Sequence, residues 1–255
     1  MFNFIKKISA NKYGWKGDYL TWEEVQSVST GYDADKILQS VKKSLLKVKN
    51  GEATYERDSV IFDEIEYSWP LLSTLMLAAA KFGNLKVLDF GGSLGSTYYQ
   101  NRKFLGELKN VSWSIVEQEN FVNVGNKDFK DDYLHFFCTV NECVEKENPD
   151  VLLLSSVLQY IEKPYELLDE ILKYDFKYVV VDIAPFVLSG RSKLKLQTVH
   201  PSIYNASYPC WIFNERSFID FFTKNKYKTI EVFKSLESQD DEIQFKGIIF
   251  KKFDK

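Results

Sequence analysis

Val87-Leu88-Asp89-Phe90-Gly91-Gly92-Ser93-Leu94-Gly95 (VLDFGGSLG) is the stretch whose reading decides the fold. A short apolar run ends in an acid, a glycine-rich turn follows, and a helical pattern runs from Ser96 to about Leu108. Glycine lets the backbone turn tightly and approach a ligand where a Cβ would collide. The first turn of the next helix offers unpaired N–H groups. Strand, glycine turn and helix in this order open a nucleotide-binding α/β unit.

Spacing and charge then separate the ligand classes. A pyrophosphate-binding turn reads G-x-G-x-x-G. Here Gly91 is followed by Gly92, Ser93, Leu94 and Gly95, and Asp89 stands two residues before the first glycine. A carboxylate there repels a pyrophosphate and suits the ammonium of a methionine moiety. The sign of that charge favours S-adenosylmethionine (SAM) over a nicotinamide cofactor. A second strand, Trp113–Val116, ends in Glu117, an acid placed to accept hydrogen bonds from ribose hydroxyls. Nicotinamide sites use the same device, so Glu117 alone does not discriminate.

Outward from this stretch, short apolar runs alternate with amphipathic segments. After Ser112–Glu117 come Leu134–Phe137, Val151–Ser155, a helix over Pro164–Lys173, and Tyr178–Ile183. This alternation predicts a parallel sheet covered by helices on both faces. Pro185–Trp211 reads as a long connection. A helix over Glu215–Lys224, capped by Asn214, precedes two adjacent antiparallel strands, Tyr227–Phe233 and Ile243–Lys251. The chain before Phe82 reads as helical. Thr21 and Glu24 form a capping box, and Ile37, Val41, Leu45 and Val48 recur at helical spacing before Gly51. A third helix covers Glu66–Lys81 with Pro70 in its first turn. The expectation is a helical cap or lid over 1–82 and a cofactor-binding domain over 83–255.

Composition narrows the partners. The 255 residues carry a formal net charge of -3, with no basic surplus for nucleic acid. Aromatic residues make up 16%, which suits a densely packed core or a ring-lined pocket. Three cysteines (Cys138, Cys143, Cys210) and two histidines (His135, His200) lack metal-site spacing, so no metal is expected. Free thiols in a cytoplasmic protein are the simplest reading. The apolar residues Phe2, Phe4, Ile5 and Ile8 are too few for a signal-peptide core, and the run near Leu71–Ala80 is far short of a membrane span. No stable membrane insertion is expected. The oligomeric state is not readable.

These residues resemble class I SAM-dependent methyltransferases. Asp89, Gly91 and Gly95 match that family's first motif, and Ser93 replaces its middle glycine. Val157–Ile161 is similar to the family's fourth-strand segment, with Tyr160 where many members have His. Over nearly its full length the chain resembles a methyltransferase group found in bacterial surface-polysaccharide gene clusters. The resembling segments include WKGDY (Trp15–Tyr19), YERDSV (Tyr55–Val60), EYSWPLL (Glu66–Leu72), LDFGGSLGSTYYQNR (Leu88–Arg102), SSVLQYIEKP (Ser155–Pro164) and SYPCWIF (Ser207–Phe213). The resemblance implies an α/β, Rossmann-like fold. Its mostly parallel seven-stranded sheet ends in a C-terminal antiparallel hairpin, and an N-terminal helical cap covers it. It implies S-adenosyl-L-methionine as cofactor. Asp89, Gly91, Gly92, Ser93 and Gly95 would hold the methionine end, Glu117 the ribose, Gln118 (with Phe121) the adenine, and Ser155 and Ser156 would flank the cofactor.

The acceptor must lie beyond the carboxyl ends of the strands. His200 and Asp182 are the candidate bases. The competing readings are a structural or merely exposed histidine for His200, the commoner case for that residue, and a helix or loop cap for Asp182. Arg57, in the polar segment YERDSV, is a candidate for a phosphate or carboxylate of the acceptor, or else an ion-pair partner of Asp58 or Glu56. Tyr160, Tyr204, Tyr208 and Trp211 are candidate acceptor contacts. The expected activity is methyl transfer to an oxygen, secondarily a nitrogen, of a small polar molecule such as a sugar or nucleotide-linked sugar. A catalytically inactive binding module and a nicotinamide-dependent oxidoreductase are the competing readings.

Overall fold

Leu85–Phe90 and Val151–Ser155 alternate perfectly between two cores, so both faces of the sheet they form must be covered. Leu85, Val87, Val151 and Leu153 join one apolar cluster, while Leu88, Leu152 and Leu154 join the other. The computed structural model describes residues 13–31, 34–200, 206–237 and 243–253. In chain order it contains β1 (Gly14–Tyr19), α1 (Trp22–Val28), α2 (Ala34–Lys49), β2 (Tyr55–Arg57), β3 (Val60–Phe62) and α3 (Trp69–Phe82). Next come β4 (Leu85–Phe90), α4 (Ser96–Leu105), β5 (Val111–Val116), α5 (Glu119–Asp128), β6 (Leu134–Phe137), α6 (Val140–Glu147) and β7 (Val151–Ser155). A single 3-10 turn (Leu158–Tyr160) leads to α7 (Pro164–Ile171), β8 (Tyr178–Val187), β9 (Lys193–Thr198), β10 (Ser207–Asn214), α8 (Glu215–Lys224), β11 (Tyr227–Lys234) and β12 (Ile243–Lys252).

Seven strands run in the order β6-β5-β4-β7-β8-β12-β11. The first five are parallel, and β12 lies antiparallel to both β8 and β11. This is a Rossmann-like α/β sheet with the expected C-terminal hairpin. The chain moves from β4 to β5 and β6 on one side, then crosses to β7 on the other. That reversal leaves a crevice beyond the carboxyl ends of β4 and β7, where open α/β sheets bind ligands.

The sheet extends further than the sequence reading, to ten strands. Pro185–Trp211, expected as a connection, is largely strand. β8 continues through Pro185 to Val187 because it changes neighbours on one edge: Tyr178–Asp182 pair with β7, and Phe186 and Val187 pair with β10. Between them Ile183 sits at φ +53, an uncommon conformation for a β-branched residue, and the strand bends there. β10 pairs antiparallel with β9, and β9 with β1. The alternation Lys193-Leu194-Lys195-Leu196 is the period-two pattern of such a strand.

The N-terminal region is likewise not all helix. β1 forms the outer edge of the sheet, and β2 and β3 make a hairpin. Gly14 and Gly17 suit β1 to a loop on local propensity alone, and pairing with β9 overrides that. The helices form as expected. Thr21 caps α1 with the reciprocal Glu24 contact, and Ile37, Val41, Leu45 and Val48 bury one face of α2 against the core that also holds α3. No helix among the described residues is long and apolar enough to cross a membrane.

Candidate functional site

The turn after β4 is shaped by contacts that leave no room for side chains. Gly91 lies at φ +71, and a Cβ there would stand 2.5 Å from Val157 Cγ2. At Gly92 a Cβ would stand 2.5 Å from the Asp89 carboxyl. The turn therefore folds down onto its own acid. Gly91 N–H donates to Val116 O and Gly95 N–H to Gly92 O, which ties the turn to β5 and starts α4. Ser93, the departure from the glycine pattern, keeps a left-handed φ of +55. Gly95, at φ +105, is the N-cap of α4 and faces Leu134 and Ile115 in the core rather than the crevice.

Asp89 is buried at 1% exposure, and its Oδ2 accepts from Trp113 Nε1 at 3.1 Å. Burial, with the nearby Glu117 charge adding to it, pushes its carboxyl up to about 7. Glu117, past the end of β5, accepts from Gln118 N at 2.7 Å and from the Ser93 backbone. Its carboxyl is raised by burial. Both acids open on one cavity of about 890 Å³, together with Gly91, Gly92, Ser93, Gln118, Ser155 and Ser156. That volume lies in the upper part of the usual range for ligand pockets and leaves room for a second molecule.

The far part of the cavity lies beside the bend of β8 at Asp182–Ile183 and along the β2 segment of the N-terminal hairpin. Asp182 pairs with Ser155 in register. It is 2% exposed, accepting from Ser68 Oγ at 3.0 Å and from Ile183 N at 2.8 Å. Burial pushes it up to about 6. Glu56, on β2, is 1% exposed and accepts from Ser59 N and Ser96 Oγ, both at 2.7 Å. Burial pushes it up to about 7. Arg57 reaches Glu237 across the cavity, Nη2 to Oε1 at 3.3 Å. Glu237 is thus an ion-pair partner of Arg57, and the Asp58 charge adds to its stabilisation. Tyr160 and Tyr208 meet edge-on with centroids 5.1 Å apart, and both line the cavity.

Backbone strain gathers at this end of the sheet. Ser93, Ser156 and Ile183, following β4, ending the β7 run and interrupting β8, all have φ between +53 and +55. Non-glycine residues in that region cost about 1–3 kcal/mol each and concentrate at ligand sites.

Three candidates fall elsewhere. His200 does not line the cavity; its ring packs edge-on against Tyr13 at 4.7 Å. Trp211 is turned away as well. Its ring stacks on Trp22, and its Nε1 donates to Glu162 O at 3.1 Å. Tyr204 lies outside the described residues. Conversely, sequence reasoning does not reach Ser68, Gln197 and Glu237, all of which touch or support the site. Ser68 lies in the EYSWPLL segment but carries no signal of its own, and Gln197 and Glu237 belong to no motif. They are assembled by the start of α3, β9 and the β11–β12 connection.

Topology and crevice together define the class: the fold is the Rossmann-like fold of the class I methyltransferases. A crystal structure of the N-terminal domain of EvdMO1, in the presence of S-adenosylhomocysteine (SAH) and D-fucose, matches with TM-score 0.51 and 12% identity over 87% of this chain and 98% of that one. A Burkholderia thailandensis 1,6-didemethyltoxoflavin-N1-methyltransferase matches with TM-score 0.49 and 12% identity, covering 97% and 98%. The CcbJ methyltransferase of Streptomyces caelestis matches with TM-score 0.48 and 9% identity, covering 71% and 88%. No family model and no curated protein matches the chain.

Proposed function

We propose that this protein transfers a methyl group from SAM to a small polar acceptor. The observation that carries the reading is the pair Asp89 and Glu117 on either side of the side-chain-free turn, all open to one cavity. The residues fit the cofactor. The cradle at Gly91–Ser93 admits close backbone approach, and Asp89 supplies a negative charge for the methionine ammonium. Glu117, whose carboxylate is held by two backbone N–H groups, offers acceptors to the ribose hydroxyls. A pyrophosphate would meet the Asp89 carboxyl beneath the turn, so the nicotinamide reading gains nothing from this geometry.

When bound, SAM supplies a methyl group already activated on a sulfonium. The chain's part is to align the acceptor, exclude water and take a proton. Alignment is worth ~7–11 kcal/mol of a barrier. Asp182 is a buried carboxylate of the acceptor half, set just before the bend of β8 at Ile183, and Ser68 fixes its orientation. It accepts the proton that an attacking hydroxyl loses. His200 has no part in this reading, because it packs outside the cavity. Oxygen as the methylated atom and a sugar-like acceptor from surface-polysaccharide synthesis rest on the sequence resemblance and the ring-lined cavity. A cytoplasmic location fits the free thiols of Cys138, Cys143 and Cys210. Isothermal titration with SAM and SAH tests the core of the proposal. Micromolar binding of both is expected, and absence of binding to either overturns it.

A further inference from the structure

Past the cofactor turn, the charge of the cavity is one-sided. Apart from Asp89 and Glu117, the charged side chains lining it among the described residues are Glu56, Asp58, Asp182 and Glu237, against Arg57. That guanidinium is already engaged by Glu237 at 3.3 Å, with Asp58 beside it. Glu56 and Asp182 are held by neutral donors, a backbone N–H and a serine hydroxyl each. An anionic acceptor entering here would face four carboxyls and would have to take Arg57 from Glu237. Like charge at that range disfavours it strongly.

Two further features suit a cation with N–H donors. Trp22, Tyr160, Tyr208 and Phe245 place aromatic rings on the same cavity, and ring faces attract ammonium groups. Gln197, in β9 between Trp15 and Tyr208, lines the cavity with a buried Oε1 that has no hydrogen-bond partner among the described residues. A buried carbonyl oxygen without a donor is costly, and a ligand N–H or O–H would satisfy it. Among the described residues no three His, Cys, Asp or Glu side chains are grouped so as to hold a metal ion.

We infer that the acceptor carries a protonated amine, recognised by the Asp182 and Glu237 carboxyls with the Tyr160 and Tyr208 rings, and that phosphorylated and nucleotide-linked acceptors are rejected. The inference rests on the methyltransferase reading and narrows it: an amino sugar or amino polyol fits the cavity, and a nucleotide-linked sugar does not. Burial raises the Glu56 and Asp182 carboxyls, and the Arg57 charge draws Asp182 down only in part.

The test is titration calorimetry on the full chain saturated with SAH. The probes are 2-amino-2-deoxyhexoses, an aminocyclitol and a polyamine. Each is paired with its N-acetylated form, and the hexoses also with their uridine-diphosphate-linked forms. At least one amine should bind tenfold or more tightly than its acetylated partner, and the nucleotide-linked forms should bind more weakly still. Glu237→Gln should erase that amine preference and raise affinity for the nucleotide-linked probe, because Arg57 is released, while SAH affinity reports an intact fold. Equal binding of amine and acetyl forms, no amine binding at all, or a nucleotide-linked probe that binds best would each overturn the inference and leave the cofactor reading standing. Failure of SAH itself to bind would overturn both.

Discussion

The two halves of the cavity are built from opposite kinds of sequence. The cofactor half comes from neighbours in the chain, Asp89 through Ser93, completed by strand ends that the parallel register brings alongside. The acceptor half comes from Arg57, Ser68, Asp182, Gln197 and Glu237, which are scattered over the chain and meet only when the sheet is complete. The contrast shows why a turn can identify a cofactor class while its acceptor stays hidden. In the proposed reading the cofactor side is specified by a nine-residue pattern and the strand ends beside it, whereas the acceptor side is made of side chains positioned by tertiary pairing.

If the halves are separable, Asp182→Asn should have the largest effect and confine it to one side. Loss of a general base lowers kcat by ~10²–10⁴-fold. SAM affinity should stay within twofold of the parent by calorimetry. The pH profile gives a second readout. Asp182 is raised to about 6, so it is protonated below that value, and the parent's rate should fall as pH drops through about 6. The variant should lose that limb. A matching loss of SAM affinity would show that the halves are not separable.

Asp89→Asn should act on the other side. Removing the charge opposite an ammonium costs roughly 2–5 kcal/mol, or about 30- to 5,000-fold in SAM affinity. The same change should stabilise the protein without cofactor. The Asp89 carboxyl is raised in the fold to about 7, so its contribution to stability is fully present below about pH 4 and is lost as pH rises through about 7. Asparagine avoids the buried charge and can keep the Trp113 hydrogen bond. At pH 8 the variant should melt several degrees higher, an effect on the order of 2 kcal/mol. The difference should narrow as pH falls from 7 towards 4. Unchanged melting at pH 8 would mean that Asp89 is not ionised against its surroundings.

Trp211 tests where the acceptor half ends. It stacks on Trp22 from behind and holds Glu162 O. Trp211→Phe keeps a ring and loses one hydrogen bond, about 1 kcal/mol of stability. The acceptor KM should move by no more than about threefold if the wall stays in place. A tenfold rise would put Trp211 among the contacts.

What was legible follows the same division. The short apolar runs of β4 to β8, the caps at Thr21 and Asn214, and the C-terminal hairpin all announce themselves through local pattern. β9 and β10 are harder to read, because Pro185 and the polar residues after Gly190 outweigh the short alternation Lys193–Leu196. Only the bend at Ile183 lets β8 gain β10 as a neighbour. Arg57 is visible as a charged residue in YERDSV, but its partner Glu237 lies 180 positions away, beyond the reach of any spacing rule. His200 and Trp211 attract attention as reactive or aromatic residue types. Their side chains settle on Tyr13 and Trp22, which a one-dimensional reading cannot foresee.

Ser93→Gly carries the smallest effect and sharpens the cofactor side most finely. Ser93 holds φ +55, where a Cβ costs about 1–2 kcal/mol. Glycine removes that cost but adds freedom to the unfolded chain, worth about 0.5–1 kcal/mol in the opposite sense. The net change should be stabilising by less than ~1 kcal/mol, a shift of at most a few degrees in Tm. The Ser93 backbone donates to Glu117, and glycine keeps that donor, so Glu117 should stay in place. SAM affinity should therefore be unchanged or slightly better. A tenfold loss would show that the hydroxyl itself touches the cofactor, and the family's middle glycine would then have been replaced for contact rather than tolerated as strain.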